Sequence, residues 1–379
     1  MAKKNIAVLI DWYLPGNKAG GPVRSVFSLL NLMQDEFSFH VITTNTDLGS
    51  VNPYPTIESD QWTTYDGVPV YYFSRSHLNP EKLAEVINST HPDFVYLNSF
   101  WSYNFSLLPL RLKKAGKLKG KIILAPRGML GKGALSIKPF KKKLFLFLLK
   151  FIDLHSKVTF HATTADEENE IRKVFPNADV KIAPNLNSTK LISDRSIVKE
   201  KGELKLFFLS RISRVKNLHY AIEVLRNIKT DGKIVYDIYG SMEDKEYWNE
   251  CEAIIKTLPS NITVSYKGGL SFEKVQQTIS GYHFLFLPTL NENFGHSIYE
   301  SLISACPVII SDTTPWNGVE SAGCGYAISL KDKKQFEKVI SEAVDMDSGA
   351  YTSIWKNCVK FMSANAGKPD KDAYRKLFN

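Results

Sequence analysis

The sequence predicts an α/β protein of two doubly wound parallel-sheet domains, and three observations predict it. At 379 residues the chain exceeds what one ordinary hydrophobic core organises. Apolar, β-rich runs alternate with segments of helical period from end to end, the pattern of parallel strands joined by helices. Between two such series lies "NLNSTKLISDRSIVKEKGE", residues 185–203, which is polar, lacks a clear period and is the expected linker. Hydrophobic residues make up 44% and charged residues 23%, with no long biased tract, so the chain is expected to be ordered nearly throughout.

The start, "MAKKNIAVLIDWYLPG", is basic and then apolar like a secretory leader, but its apolar run ends at Asp11 and it reads as a first strand. "FHVITT", "VPVYYF", "FVYLN", "KIILA", "VTFHA" and "VKIAP" continue the first series. "LKLFFLS", "KIVYDIYG", "ITVSYKG", "YHFLFLP", "PVIIS" and "GYAIS" form the second, with helices expected at Leu218 to Ile228 and Phe272 to Ile279. Strands apolar on both faces imply parallel sheets covered on both sides. The division places a first domain at residues 1–190 and a second at 191–362. No apolar stretch approaches the roughly 20 residues of a membrane-spanning helix. Cys251, Cys306, Cys324 and Cys358 lie without close pairs, which makes neither a disulfide framework nor a zinc knuckle and points to a reducing cytoplasm. The net charge of +9 predicts an anionic partner.

In such sheets ligands bind beyond the carboxyl ends of the strands, and the unusual residues fall there. "DWYLPGNKAGGPVRS" follows the first strand, "PRGML" follows "KIILA", and "SRISRVKN" follows "LKLFFL". Gly240 and Ser241 follow "KIVYDIY", and "TLNENFGHS" follows "YHFLFLP". With the two poles facing each other, the expected site is an interdomain cleft. In "AGGPVRSVFSLL", Gly20 and Gly21 precede Pro22 at a helix start whose free amides favour an anion; a tight turn needing glycine explains the same residues equally well. The spacing is not the dinucleotide fingerprint. Arg211 and Lys216 suit a diphosphate clamp, Arg as a fork and Lys as a point charge, against the plainer reading of a solvated basic loop.

"NENFGHSIYESLISACPVIISD", residues 291–312, puts Glu292 in a loop and Glu300 in a helix. Asn293, Phe294 and Gly295 build the start of that helix, and Ile298, Leu302 and Ala305 would face the sheet. Were every step helical, the two carboxylates would lie about 12 Å apart along the axis, the scale of an extended nucleotide sugar. Glycoside hydrolysis, which needs roughly 5–10 Å, and an ordinary solvated Glu300 stay open on spacing alone. His161 ends a strand, and Thr164 with Glu167 makes a capping-box pattern. "IKPFKKKLFLFLLKFIDL", residues 137–154, is basic and apolar, suited either to an anionic membrane surface or to a buried helix with snorkelling lysines.

Glu292, Asn293, Phe294 and Gly295 through Glu300 resemble the Glu, seven residues, Glu motif of the retaining glycosyltransferases of family 4, which have the GT-B fold of two facing Rossmann-like domains. "AGGPVRSV" resembles that family's N-terminal glycine loop, "RISRVKN" its diphosphate clamp, and "APNLN" the segment leading into its linker. The resemblance implies that Glu292 meets the transferred sugar together with the amides of Asn293 to His296, and that Glu300 holds the ribose. It further implies that Arg211 and Lys216 neutralise the departing diphosphate, that Gly21 lets its loop close over that group, and that Gly240 lies on the donor side. Arg24, Arg127 and His161 are acceptor-side candidates, although many members carry His-Gly where this chain has Arg127 and Gly128. The last helix, residues 363–379, is expected to cross back onto the first domain.

The expectation is therefore a cytoplasmic, retaining glycosyltransferase, peripheral at the inner membrane face. It takes a nucleoside-diphosphate sugar, no metal and no other cofactor, and a saccharide or lipid-linked saccharide acceptor in surface-polysaccharide assembly. The alternatives are a GT-B-like nucleotide-sugar epimerase and a noncatalytic module binding an anionic polymer. Nucleic acid is not an expected partner, since no basic stretch is interleaved with stacking aromatics.

Overall fold

In β1 (Lys4–Ile10), Ile6, Val8 and Ile10 enter one apolar cluster while Ala7 and Leu9 enter another. The strand is apolar throughout because both faces of its sheet are covered. The computed structural model describes residues 3–16, 18–131, 157–186, 190–271, 274–365 and 370–379, with 135, 140, 142, 145 and 146. The chain divides into two units, Met1–Ser188 with Pro369–Asn379, and Thr189–Lys368.

The first unit continues with β2 (Phe37–Thr44), β3 (Trp62–Tyr65), β4 (Val68–Phe73), β5 (Phe94–Asn98), β6 (Lys121–Ala125), β7 (Val158–Ala162) and β8 (Asp179–Ile182). Their spatial order is β3-β4-β2-β1-β5-β6-β7-β8. Every pairing is parallel except that of the edge strand β3 with β4. β3 and β4 form an edge hairpin whose turn residues Asp66 and Gly67 have φ of 50° and 77°, the conformation that an Asp-Gly pair favours. The helix Lys371–Leu377 covers one face of this sheet. Beside it the Phe378 ring meets Phe37 at 5.2 Å, Tyr96 at 5.7 Å and Phe94 at 5.9 Å.

The second unit holds β9 (Glu203–Leu209), β10 (Lys233–Tyr239), β11 (Ile262–Gly268), β12 (Phe284–Leu287), β13 (Val308–Ser311) and β14 (Gly325–Ile328). All pair in parallel in the order β11-β10-β9-β12-β13-β14. The order reverses between β9 and β12, and in the first unit between β1 and β5. Beyond the carboxyl ends of the strands at such a reversal a doubly wound sheet leaves a crevice for a ligand.

Residues 190–200 have no regular secondary structure, yet they are strapped to the second unit. The Ile192 amide donates to Ile303 O at 2.9 Å, and the Arg195 guanidinium donates to Ser304 O at 3.1 Å and to Ile279 O at 3.3 Å. Lys199, only 1% exposed, donates to Val344 O and Met346 O at 3.0 Å each. These cations satisfy carbonyls left free where helices end. The helix Ser348–Asn365 keeps Cys358 and Met362 in the core of this unit. Residues 366–369 and nearly all of the basic segment 137–154 lie outside the described residues. Among the described residues no helix is long and apolar enough to cross a membrane.

Candidate functional site

After β9 the chain passes Arg211 and makes a tight turn, Arg214–Lys216, closed by Asn217 in the left-handed region with φ 58° before the helix Leu218–Asn227. The buried Asn217 amide donates to Pro288 O at 2.9 Å, just past β12. The Leu290 amide and the Thr289 hydroxyl both donate to Val215 O, at 2.8 Å and 3.1 Å. These bonds join the loops after β9 and β12 at the point where the strand order reverses. They bring Lys216 Nζ to 2.6 Å from Glu292 Oε1, with side chains 13% and 11% exposed.

Beyond Glu292, Gly295 caps the helix His296–Ile303 with φ 77°. A Cβ there would meet Ile298 Cδ1 at 3.1 Å and Trp316 Nε1 at 3.2 Å, so the position excludes a side chain. Trp316 Nε1 donates to Phe294 O at 2.6 Å and its ring packs against Phe294 at 5.9 Å. Phe294 in turn lies 4.8 Å from the His296 ring. Trp316 escaped the sequence reading, and its signal was the Pro-Trp-Asn run in the loop after β13. Asn293 and His296 are half-buried and Glu300 is buried in the helix. Because that helix begins only at His296, the all-helical separation of about 12 Å does not apply to Glu292 and Glu300.

Arg211 Nη1 pairs with Glu243 Oε2 at 2.7 Å, and both side chains are 40% exposed, a pair that solvent screens to little net stability. The two cations expected as one clamp thus hold separate carboxylates, Lys216 shielded and Arg211 open. Gly240 has φ 148°, and a Cβ there would fall 1.8 Å from Ser210 O, so β9 and β10 leave the sheet too close for any other residue.

In the first unit, Gly20 (φ 70°) precedes the helix Gly21–Met33, with Gly21 and Pro22 in its first turn and Arg24 half-buried behind them. Beside this loop, at the end of β1, the Ser102 hydroxyl donates to Asp11 Oδ1 at 2.7 Å, and burial pushes the Asp11 carboxyl above its ordinary range. Asn98 and Ala125 are register partners at the ends of β5 and β6. Just beyond them Ser99 and Arg127 have φ of 118° and 57°, both strained for residues with a Cβ.

Arg127 Nη1 donates to Asn185 Oδ1 at 2.8 Å, and its Nη2 to Tyr96 Oη and Asn98 Oδ1 at 2.9 Å each. Behind it His161 is 0% exposed, with Nε2 2.7 Å from Ala183 O and Nδ1 2.7 Å from Tyr96 Oη. A carbonyl only accepts, so Nε2 carries the proton, the bare Nδ1 accepts from the Tyr96 hydroxyl, and the Tyr96 oxygen is left to accept from Arg127. A second ring proton would break this chain. Burial, with Arg127 adding to it against the bond to Ala183, holds the imidazole down to about 3, and burial pushes Tyr96 up to about 12. The ring is sealed from solvent at the end of β7. Tyr96, Asn98 and Asn185 went unnoticed because "FVYLN" and "APNLN" carry no signal beyond strand and loop.

The Thr164 and Glu167 capping box forms by half. Thr164 Oγ1 accepts from the Glu167 amide at 3.1 Å, but the Glu167 carboxylate takes the Gly128 amide at 2.6 Å and the Thr163 amide at 2.8 Å. Among the described residues no group of three or more His, Cys, Asp or Glu side chains is placed to hold a metal ion.

Residues 190–357 match the family model described as Glycosyl transferases group 1. Among solved structures the chain is similar to a sucrose-phosphate synthase from Thermosynechococcus elongatus, 15% identical, with a TM-score of 0.73 over 99% of both chains. It is also similar to Anabaena Alr3699/HepE in complex with UDP-glucose, 14% identical, with a TM-score of 0.70 over 98% of this chain and 99% of that one. A third similar structure is WaaG, a glycosyltransferase involved in lipopolysaccharide biosynthesis, 15% identical, with a TM-score of 0.60 over 97% of this chain and 98% of that one. No curated protein sequence matches the chain. Residues 190–357 are thus a glycosyl transferases group 1 domain, within a chain that has the two-sheet α/β fold of the GT-B glycosyltransferases.

Proposed function

We propose that the protein is a retaining glycosyltransferase of family 4, which moves a sugar from a nucleoside-diphosphate donor to a saccharide or lipid-linked saccharide in surface-polysaccharide assembly. The observation that carries this reading is the Lys216 and Glu292 pair, 2.6 Å apart at the strand reversal of a glycosyl transferases group 1 domain. In the reaction the bond from the sugar's anomeric carbon to the diphosphate breaks, and a bond to the acceptor oxygen forms on the same face. The acceptor's proton passes to the departing phosphate oxygen. Lys216 and Arg211 offset the charge that grows on the diphosphate, a role that needs no metal. Glu292 and the amides of Asn293 to His296 hold the sugar, and Glu300 the ribose.

Similar structures named for UDP-glucose and for lipopolysaccharide biosynthesis support a nucleotide-sugar donor and a glycan product. Cytoplasmic work at an anionic inner membrane face, through residues 137–154, belongs to the same proposal. Liposome sedimentation tests that part, since equal binding after neutralising Lys141, Lys142 and Lys143 removes it. Thermal-shift screening against a panel of nucleotide sugars should find one donor that stabilises the protein. Incubating that donor with and without acceptor then decides the reaction: epimerisation without acceptor would sink the transferase reading.

A further inference from the structure

We propose that Arg127 recognises a carboxylate or phosphate carried by the saccharide substrate, so that the sugar handled at this pole of the first unit is an acidic one. The proposal rests on the glycosyltransferase reading for the identity of the ligand as a saccharide, and on the Arg127 cluster for its charge.

Among the described residues the cluster holds a cation without a counter-ion. Arg127 donates to two amide oxygens and one phenol, all neutral, and among the described residues no carboxylate forms an ion pair with it. Glu167, a carboxylate nearby, is engaged by the Gly128 and Thr163 amides and the Thr163 hydroxyl. Arg195 also meets only neutral oxygens, but Ile279 and Ser304 stand where helices end, and the partial negative charge of those ends answers its guanidinium. A half-buried charge with neutral partners alone is costly unless a ligand completes it.

The cluster is also rich in donors. Arg127 Nε and Asn98 Nδ2 are buried with no acceptor, and Asn98 is 0% exposed. Asn98 Oδ1 faces the guanidinium, which turns its amide nitrogen away from Arg127. What the group lacks is oxygen acceptors and negative charge, and an oxyanion supplies both. Its back is rigid, because the bonds from Ala183 O through His161 and Tyr96 to Arg127 admit one arrangement of protons. Its front is strained, with positive φ at Ser99 and Arg127 on adjacent strand ends. Backbone strain of this kind clusters at active sites and ligand clamps, and this instance lies at the ligand pole of its sheet.

The test compares the binding of glucuronate and glucose 6-phosphate with that of glucose, by ligand-observed NMR, in the full-length protein and in Arg127→Gln and Arg127→Lys. At least one acidic sugar should bind about tenfold or more tighter than glucose, and whichever is tighter names carboxylate or phosphate as the source. Arg127→Gln should erase the preference, and Arg127→Lys, which keeps the charge and loses the fork, should retain part of it. No preference in the unaltered protein, or a full preference surviving in both variants, overturns the proposal. Nucleotide binding is read separately, through Lys216→Ala, so failure of the donor reading leaves a result at Arg127 intact and the reverse.

Discussion

Lys216 Nζ and Glu292 Oε1 lie 2.6 Å apart on loops that follow β9 and β12, two strands made neighbours by the reversal of the sheet order. In the proposed reaction Lys216 meets the diphosphate and Glu292 the sugar, and here the two side chains hold each other. On that proposal each side chain exchanges its partner for the donor.

Separate substitutions should therefore give opposite results. Lys216→Ala should weaken nucleoside-diphosphate binding about 10- to 100-fold, equivalent to roughly 1.5–3 kcal/mol for a charge-assisted hydrogen bond. Glu292→Gln removes the competitor for Lys216, so calorimetry should show nucleoside-diphosphate affinity unchanged or raised. Sugar transfer should still fall by about 10²- to 10³-fold. A parallel loss of nucleotide affinity in Glu292→Gln would make the glutamate a scaffold residue only.

Gly240→Ala should destabilise the second unit by more than about 2 kcal/mol, because its Cβ would stand 1.8 Å from Ser210 O, a backbone atom with no freedom to move aside. Chemical denaturation measures it. An alanine variant as stable as the original would mean that β9 and β10 part more widely than their bonds indicate.

The buried histidines give a pH dependence whose sign follows from their depressed values. His161 is held down to about 3 and His283 to about 4, both chiefly by burial, against 6.5 for a free imidazole. Below pH 6.5 the unfolded chain takes up these protons and the folded protein does not. Stability is therefore full above that value and is lost as pH falls toward the folded values. Each histidine contributes a slope of up to about 1.4 kcal/mol per pH unit. His161→Gln, whose amide can accept from Tyr96 and donate to Ala183 O, should flatten the fall of Tm with acid by one proton's share. An unchanged slope would show that the ring titrates in the folded state.

Arg195→Met should cost about 1–3 kcal/mol, since the aliphatic stem is replaced but Ser304, Ile279 and Tyr282 lose a donor at their carbonyls. Urea unfolding gives the value. Because Ser304 follows the helix that carries Glu300, donor affinity should fall with stability if the strap also sets that helix.

The central strands of both sheets were legible because a strand buried on both faces is written as an unbroken apolar run, as in "NIAVLI" and "YHFLFLP". β3 was not, since an edge strand with Trp62 at 36% exposure carries no such run, and its only signal was the Asp-Gly turn in "TTYDGVPV". The linker reading caught the missing period of residues 190–200 but not their attachment, because Arg195 and Lys199 bind carbonyls that only the folded helices present.

The same division holds at the site. The amino-acid sequence by itself determined the class of fold, the candidate loops and the residue types in them, because strand period, helix starts and glycine placement are local properties. The tertiary structure alone decided who meets whom. Lys216 and Glu292 are 76 positions apart, and Arg127 and Asn185 are 58 apart. No local pattern encodes such pairings, since they arise only when parallel strands stack in an order that differs from their order along the chain.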